Sequence, residues 1–141
     1  MNTSFEEIYT IFLNKISDFE IASLEDDEIS EYCERFLVSA LSKIHNLTND
    51  LSDRDEAEFA SELTDVEKEI ITCQMVVEWI DSKLNTSSLL TLFVGTKDEN
   101  MASQANFINA LTELKDKQRS TVNMLMRNYQ YRKFVEEGEN S

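Results

Sequence analysis

Apolar residues recur at spacings of three and four along most of this 141-residue chain, the pattern of helices that bury one side. Ser4-Phe5-Glu6-Glu7 has the form of a capping box, in which the serine hydroxyl and a following carboxylate satisfy backbone donors at a helix start. It opens a first stripe at Phe5, Ile8, Tyr9, Phe12, Leu13, Ile16 and Phe19. A break near 21–24 leads to Glu25-Asp26-Asp27-Glu28, whose charges suit the positive end of a helix dipole. The second stripe follows at Ile29, Cys33, Phe36, Leu37, Ala40, Leu41 and Ile44, with Lys43 and His45 in its last turn. Residues 46–62 are polar and acidic and read as a loop with at most one helical turn, mobile when isolated.

Thr64-Asp65-Val66-Glu67 is a second capping box, and it starts a third helix over about 64–84. Between Ile70 and Ile80 only Thr72, Gln74 and Glu78 are polar, so this helix is central to a bundle or is covered partly by another subunit. Residues 85–102 read as a long irregular loop. Inside it, Leu89-Leu90-Thr91-Leu92-Phe93-Val94 is the one β-like run, a small hairpin or extended arm at most. Leu89, Leu90, Leu92, Phe93 and Val94 either form an adhesive subunit contact or fold back to cap the bundle. A fourth helix over about 103–132 carries Phe107, Ile108, Leu111, Leu114, Val122, Leu125, Met126 and Tyr129. The expected fold is all-α, a four-to-five-helix bundle with a long extended loop before the last long helix. One domain spans 1–135, and 136–141 form a flexible acidic tail.

Composition supports that reading: the chain has no proline and two glycines, Gly95 and Gly138. No apolar run reaches the roughly 18–20 residues that span a bilayer. The amino terminus lacks the features of a signal peptide, so a cytosolic site of synthesis is expected. Cys33 and Cys73 lack Cys-x-x-Cys spacing and read as small core residues.

Charge is divided unevenly. The net charge is −15, and residues 1–70 hold 19 acids against five bases. Within Ser103–Phe134, Glu113 and Asp116 face Lys115, Lys117, Arg119, Arg127, Arg132 and Lys133, a net of +4. The acidic part repels nucleic acid, while the last helix is suited to an acidic partner or to the acidic face of a second copy. Duplex binding by the whole domain is disfavoured, because affinity for phosphate depends on net neutralisation.

Catalytic and metal chemistry find little material. A single histidine, His45, is poor material for a metal site or a base–nucleophile pair and reads as a capping or solvated residue, and one histidine rules out the Glu-x-x-His pairs of a di-metal bundle. Asp50-Leu51-Ser52-Asp53-Arg54-Asp55 lacks the sixth-position glycine of a calcium loop. No glycine-rich phosphate loop or nucleophile elbow is present. No enzyme, cofactor or metal is expected. The run Arg127-Asn128-Tyr129-Gln130-Tyr131-Arg132-Lys133-Phe134 has the arginine and tyrosine content of an interface centre, or is a helix end with Tyr129 packed inward.

The stretch from Glu62 to Tyr131 resembles head–tail connector (adaptor, or head-completion) proteins of long-tailed bacteriophages. The resemblance covers roughly the carboxy-terminal half. It rests on the Leu63-Thr64-Asp65 start, a buried helix with Glu78-Trp79-Ile80, a long loop, and Ser103-Gln104-Ala105-Asn106 opening a leucine-rich last helix. It implies a structural virion protein, made in the bacterial cytoplasm and placed in the neck as a ring, typically of twelve copies, under the portal. The portal protein, a downstream neck or tail-completion protein and other copies of the chain would be its partners, with DNA passing through unbound. The portal-facing candidates it implies are Arg127, Tyr129, Tyr131, Arg132, Lys133 and Phe134, and the loop residues 89–94 would line or close the ring.

An acidic lumen lets DNA slide, and repulsion among acidic copies predicts a monomer in solution that becomes a ring on its portal. A stopper or tail-completion protein is disfavoured because such proteins are more often β-rich. The rival from another class is an acidic regulatory binder, an antitoxin or DNA mimic that occupies a basic partner.

Overall fold

A computed structural model describes residues 2–16, 24–44, 51–94 and 98–139, with the side chains of 86–104, 133 and 136–139 left outside the description. The elements in chain order are β1 (Thr3–Ser4), α1 (Phe5–Lys15), α2 (Asp26–Leu41), β2 (Glu58–Phe59), α3 (Asp65–Val94) and α4 (Asp98–Glu139). The chain is an all-α bundle, and among the described residues it has four helices. Phe19, most of the break at 21–24, His45 and residues 46–50 lie outside the described residues.

Both capping boxes mark helix starts. Ser4 Oγ accepts from the Glu7 amide at 3.3 Å. At α3 the box is reciprocal: Thr64 Oγ1 accepts from the Glu67 amide at 3.1 Å, and Glu67 Oε1 accepts from the Thr64 amide at 2.9 Å. Three acids, Asp26, Asp27 and Glu28, occupy the first turn of α2, where Asp27 accepts from the Glu28 amide. The α2 helix stops at Leu41, so Lys43 lies past its end and pairs with Glu78 of α3.

The core is built where α1 and α2 lie on the first two-thirds of α3. Phe5, Ile8, Tyr9 and Phe12 from α1 meet Cys33, Phe36, Leu37, Ala40 and Leu41 from α2, over Ile70, Ile71, Met75, Val76, Trp79 and Ile80. Phe12 and Phe36 have ring centroids 5.9 Å apart, and Tyr32 stands edge-on to Phe36 at 5.0 Å. The third helix is thus central within its own chain, which is why its apolar residues run nearly all round. Four ion pairs each take one partner from α3: Lys15–Glu69, Lys68–Glu7, Lys43–Glu78 and Lys115–Asp81. Most are partly exposed and add little stability, so their content is register.

Two expectations change. Residues 51–62, the described part of the segment read as a loop with at most one helical turn, hold a short strand. Thr3–Ser4 pairs antiparallel with Glu58–Phe59, and the Phe5 amide donates to the Ala57 carbonyl at 2.8 Å. Buried Thr3 accepts from the Leu63 amide at 2.8 Å, while Phe59 is buried and stands edge-on to Phe5 at 5.0 Å. Asp55 closes the turn by accepting from the Ala57 and Glu58 amides, which lowers its pKa below the usual carboxylate value. The acidic segment once compared with a calcium loop therefore uses this carboxylate on its own backbone.

The connection before the last helix is also far shorter than 85–102. The α3 helix continues through Val94 and α4 begins at Asp98, so only 95–97 separate them. Leu89, Leu90, Leu92, Phe93 and Val94 are helical and form no strand; their side chains lie outside the description. Among the described residues the short strand pair instead joins Thr3–Ser4 to Glu58–Phe59. At the other end, α4 reaches Glu139 and so takes in 136–139 of the segment read as a tail. At 1.5 Å per residue α3 is about 45 Å long and α4 about 63 Å, against about 24 Å for α2.

Candidate functional site

Two contacts set how α4 lies on α3. Lys115 Nζ is 2.5 Å from Asp81 Oδ1, and the Tyr129 hydroxyl donates to Glu67 Oε2 at 3.5 Å. Glu67 and Asp81 are fourteen residues apart on α3, as are Lys115 and Tyr129 on α4. Two heptads on each helix match, so the pair is an antiparallel hairpin with coiled-coil spacing. Its inner seam on α4 runs through Leu111, Lys115, Gln118, Val122, Leu125, Met126 and Tyr129.

The same register places position 131 opposite Asp65, the first residue of α3. From this position α4 runs on past α3, overhanging it by roughly 12 Å with Tyr131 at the root of the overhang. The overhang bears Tyr131, 70 % exposed, Phe134, 75 % exposed, and Arg132, also exposed. Aromatic side chains that far into solvent beside a guanidinium are the composition of an interface centre. The overhang is the candidate site.

The sequence candidates divide on this geometry. Tyr131, Arg132 and Phe134 stand together on the overhang, while the Lys133 side chain lies outside the description. Arg127 is exposed one turn earlier, its Nε donating to the Asn123 carbonyl at 3.4 Å. Tyr129 turns inward, half-buried against the core with its hydroxyl toward the fully buried Glu67. That carboxylate joins the start of α3 to α4, since its other oxygen holds the Thr64 amide.

Sequence reading missed a second line of exposed residues. The apolar positions of the last helix do not all share one face: Phe107 is 52 % exposed, and Leu114, Met124 and Val135 are exposed as well. The signal was the spacing: Phe107, Leu114, Thr121, Asn128 and Val135 fall every seven residues, as do Ala110, Lys117, Met124 and Tyr131. Among the described residues Lys117, Arg119 and Arg132 belong to no ion pair. Elsewhere on the surface α2 turns outward a line of Asp27, Glu31, Glu34 and exposed Val38.

The remaining chemistry is quiet. Among the described residues, one shallow cleft of about 520 Å³ lies between Lys43, Gln74, Val122, Met126 and Arg127, and another of about 410 Å³ between Arg35, Phe36, Glu78 and Asp81. Burial pushes the Cys33 and Cys73 thiols up to about 11, away from thiolate reactivity. Burial, then the nearby Glu34, likewise raises Tyr9, and the hydrogen bond to Glu7 raises Lys68. Among the described residues no three of His, Cys, Asp and Glu gather as a metal site, and no helix is long and apolar enough to cross a membrane. Compared with protein-family models, curated proteins and solved structures, the chain matches none.

Proposed function

We propose that this chain is a structural, non-catalytic protein of a bacteriophage virion: a head–tail adaptor that forms a ring beneath the portal and links the DNA-filled head to the tail side of the neck. The observation that carries the reading is the α4 overhang, where Tyr131 is exposed opposite the start of α3 and Arg132 and Phe134 are exposed past it. A helix end that leaves its own bundle with two aromatic rings and a cation is shaped to enter a groove on another protein. The resemblance over Glu62–Tyr131 supports the portal as that protein, and a downstream neck protein would take the opposite side of the ring.

The charge agrees with the role. An acidic chain repels the duplex passing through the ring, and it also opposes its own assembly, so the portal serves as the template on which copies gather. The loop contribution reassigns itself: Leu89, Leu90, Leu92, Phe93 and Val94 belong to a helical hairpin tip that would approach the neighbouring copy or the lumen.

The acidic-binder reading has an observation of its own, the outward α2 line of Asp27, Glu31 and Glu34. The two are separated by capture of partners from lysate of the native cells. The adaptor reading predicts that wild type recovers a large portal-like protein and that Tyr131→Ser with Arg132→Glu does not. Recovery of a small basic protein, lost with Glu31→Lys and Glu34→Lys but kept with the α4 changes, would overturn it in favour of the acidic binder.

A further inference from the structure

The exposed line on α4 has the spacing of a coiled-coil seam that its own chain leaves open. Phe107, Leu114, Thr121, Asn128 and Val135 take one core position of five successive heptads, and Ala110, Lys117, Met124 and Tyr131 the other. All of these are exposed except Thr121, which is half-buried. The inner seam on α3 begins beside them, so α4 offers two adjacent faces and fills one.

We infer that the free protein pairs with a second copy of itself through this seam, with the two α4 helices antiparallel about a two-fold axis near residue 119. Antiparallel coiled coils set each position of one kind against the other kind on the partner helix. In the register that places Leu114 against Met124 of the second copy, Phe107 meets Tyr131, Thr121 meets Lys117, and Asn128 meets the small Ala110. Each layer occurs twice by symmetry. That register also sets Glu113 beside Arg127 of the second copy on both flanks, and neither side chain belongs to a described ion pair within its own chain. Shifting by one heptad either way loses this pair.

The parallel alternative is worse on charge alone. It sets Lys117 against Lys117 and brings Arg127 next to Arg132 of the second copy. The polar layers at Thr121, Lys117 and Asn128 weaken the seam while fixing its register. The free chain is then a dimer, in place of the monomer expected from net charge. Tyr131 lies in the seam and on the overhang, so self-pairing and engagement of another protein through that residue exclude each other. The pairing stands on the α4 seam alone and holds whatever the overhang binds.

The test is sedimentation equilibrium of the full chain from 1 to 100 micromolar (a range of about two decades in concentration), with helicity checked by circular dichroism. Wild type should approach twice the 16.3 kDa chain mass. Glu113→Arg should weaken association by roughly tenfold or more through repulsion from Arg127, and adding Arg127→Glu should restore it to within about threefold. Mixing Leu114→Cys with Met124→Cys should give a disulfide-linked pair. Leu114→Cys alone should not, because the two Leu114 positions lie about 15 Å apart. A monomer at the highest concentration, a dimer indifferent to both charge changes, or self-linking of Leu114→Cys would each overturn the assignment.

Discussion

Helices α1 and α2 bury the apolar stripes they carry, whereas α4 buries Leu111 and Val122 and leaves Phe107, Met124, Tyr131 and Phe134 in solvent. The two regions differ in what completes them. Around Ile70–Ile80 of α3 the layers are closed by the same chain, down to Phe59 arriving from the strand pair. Along α4 only one face has a neighbour, and past position 131 there is none from α3. Apolar area left in solvent on the longest helix is the mark of a surface that another protein covers.

Mutations should separate these regions sharply. Phe12→Ala empties a fully buried site between α1, α2 and α3 and should cost about 3–5 kcal/mol in urea denaturation. Phe134→Ala should stay within about 0.5 kcal/mol in the same assay, because its ring is already hydrated. Glu67→Ala removes the acceptor that joins the start of α3 to Tyr129 and should cost about 1–3 kcal/mol, with faster hydrogen exchange at the Thr64 amide. A comparable cost from Phe12 and Phe134 would erase the distinction.

Titration probes the same contrast more gently. Cys33 and Cys73 are raised above 9.0 to about 11 by burial, so the folded protein holds both as thiols. Their contribution is complete below the unfolded value and is lost as pH climbs from 9.0 toward 11. At pH 8 an aromatic disulfide reagent should modify them only as fast as the core opens. The smallest effect belongs to Asp55, whose pKa is lowered by the Ala57 and Glu58 amides. Its contribution is present above 3.8 and is lost as pH falls through the lower folded value, which amide exchange at Ala57 and Glu58 should report.

Local signals were legible and distant ones were not. Ser4 with Glu7, Thr64 with Glu67, and the stripes of α1 and α2 depend on neighbours within a turn or two, and the structure follows them. The pairing of Thr3 with Phe59 joins residues 56 apart in the chain, and no pattern within 46–62 announces it. The helical character of 85–94 was hidden by Asn85, Thr86, Ser87 and Ser88, weak helix formers that the hairpin overrides. Gly95, the one glycine before the chain end, stands directly after the last residue of α3 and was the overlooked punctuation.

Of the candidate site, Tyr131, Arg132 and Phe134 were readable as a cluster, and their exposure follows from where α3 begins. Tyr129 could not be assigned from sequence, since its direction depends on Glu67 of another helix. The outer line through Phe107 and Leu114 could not be told apart from the inner seam, because two adjacent heptad stripes on one helix blur into a single broad one.

The most direct test joins stability to recognition in one variant, Tyr131→Ser with Phe134→Ser. Its unfolding free energy, measured at a dilution where the chain is monomeric, and its capture of a portal-like partner should be compared with those of wild type. The account predicts a free energy within about 0.5 kcal/mol of wild type per site and loss of capture. A fall of several kcal/mol would mean that these rings belong to the core, and unchanged capture would mean that the overhang is not the contact.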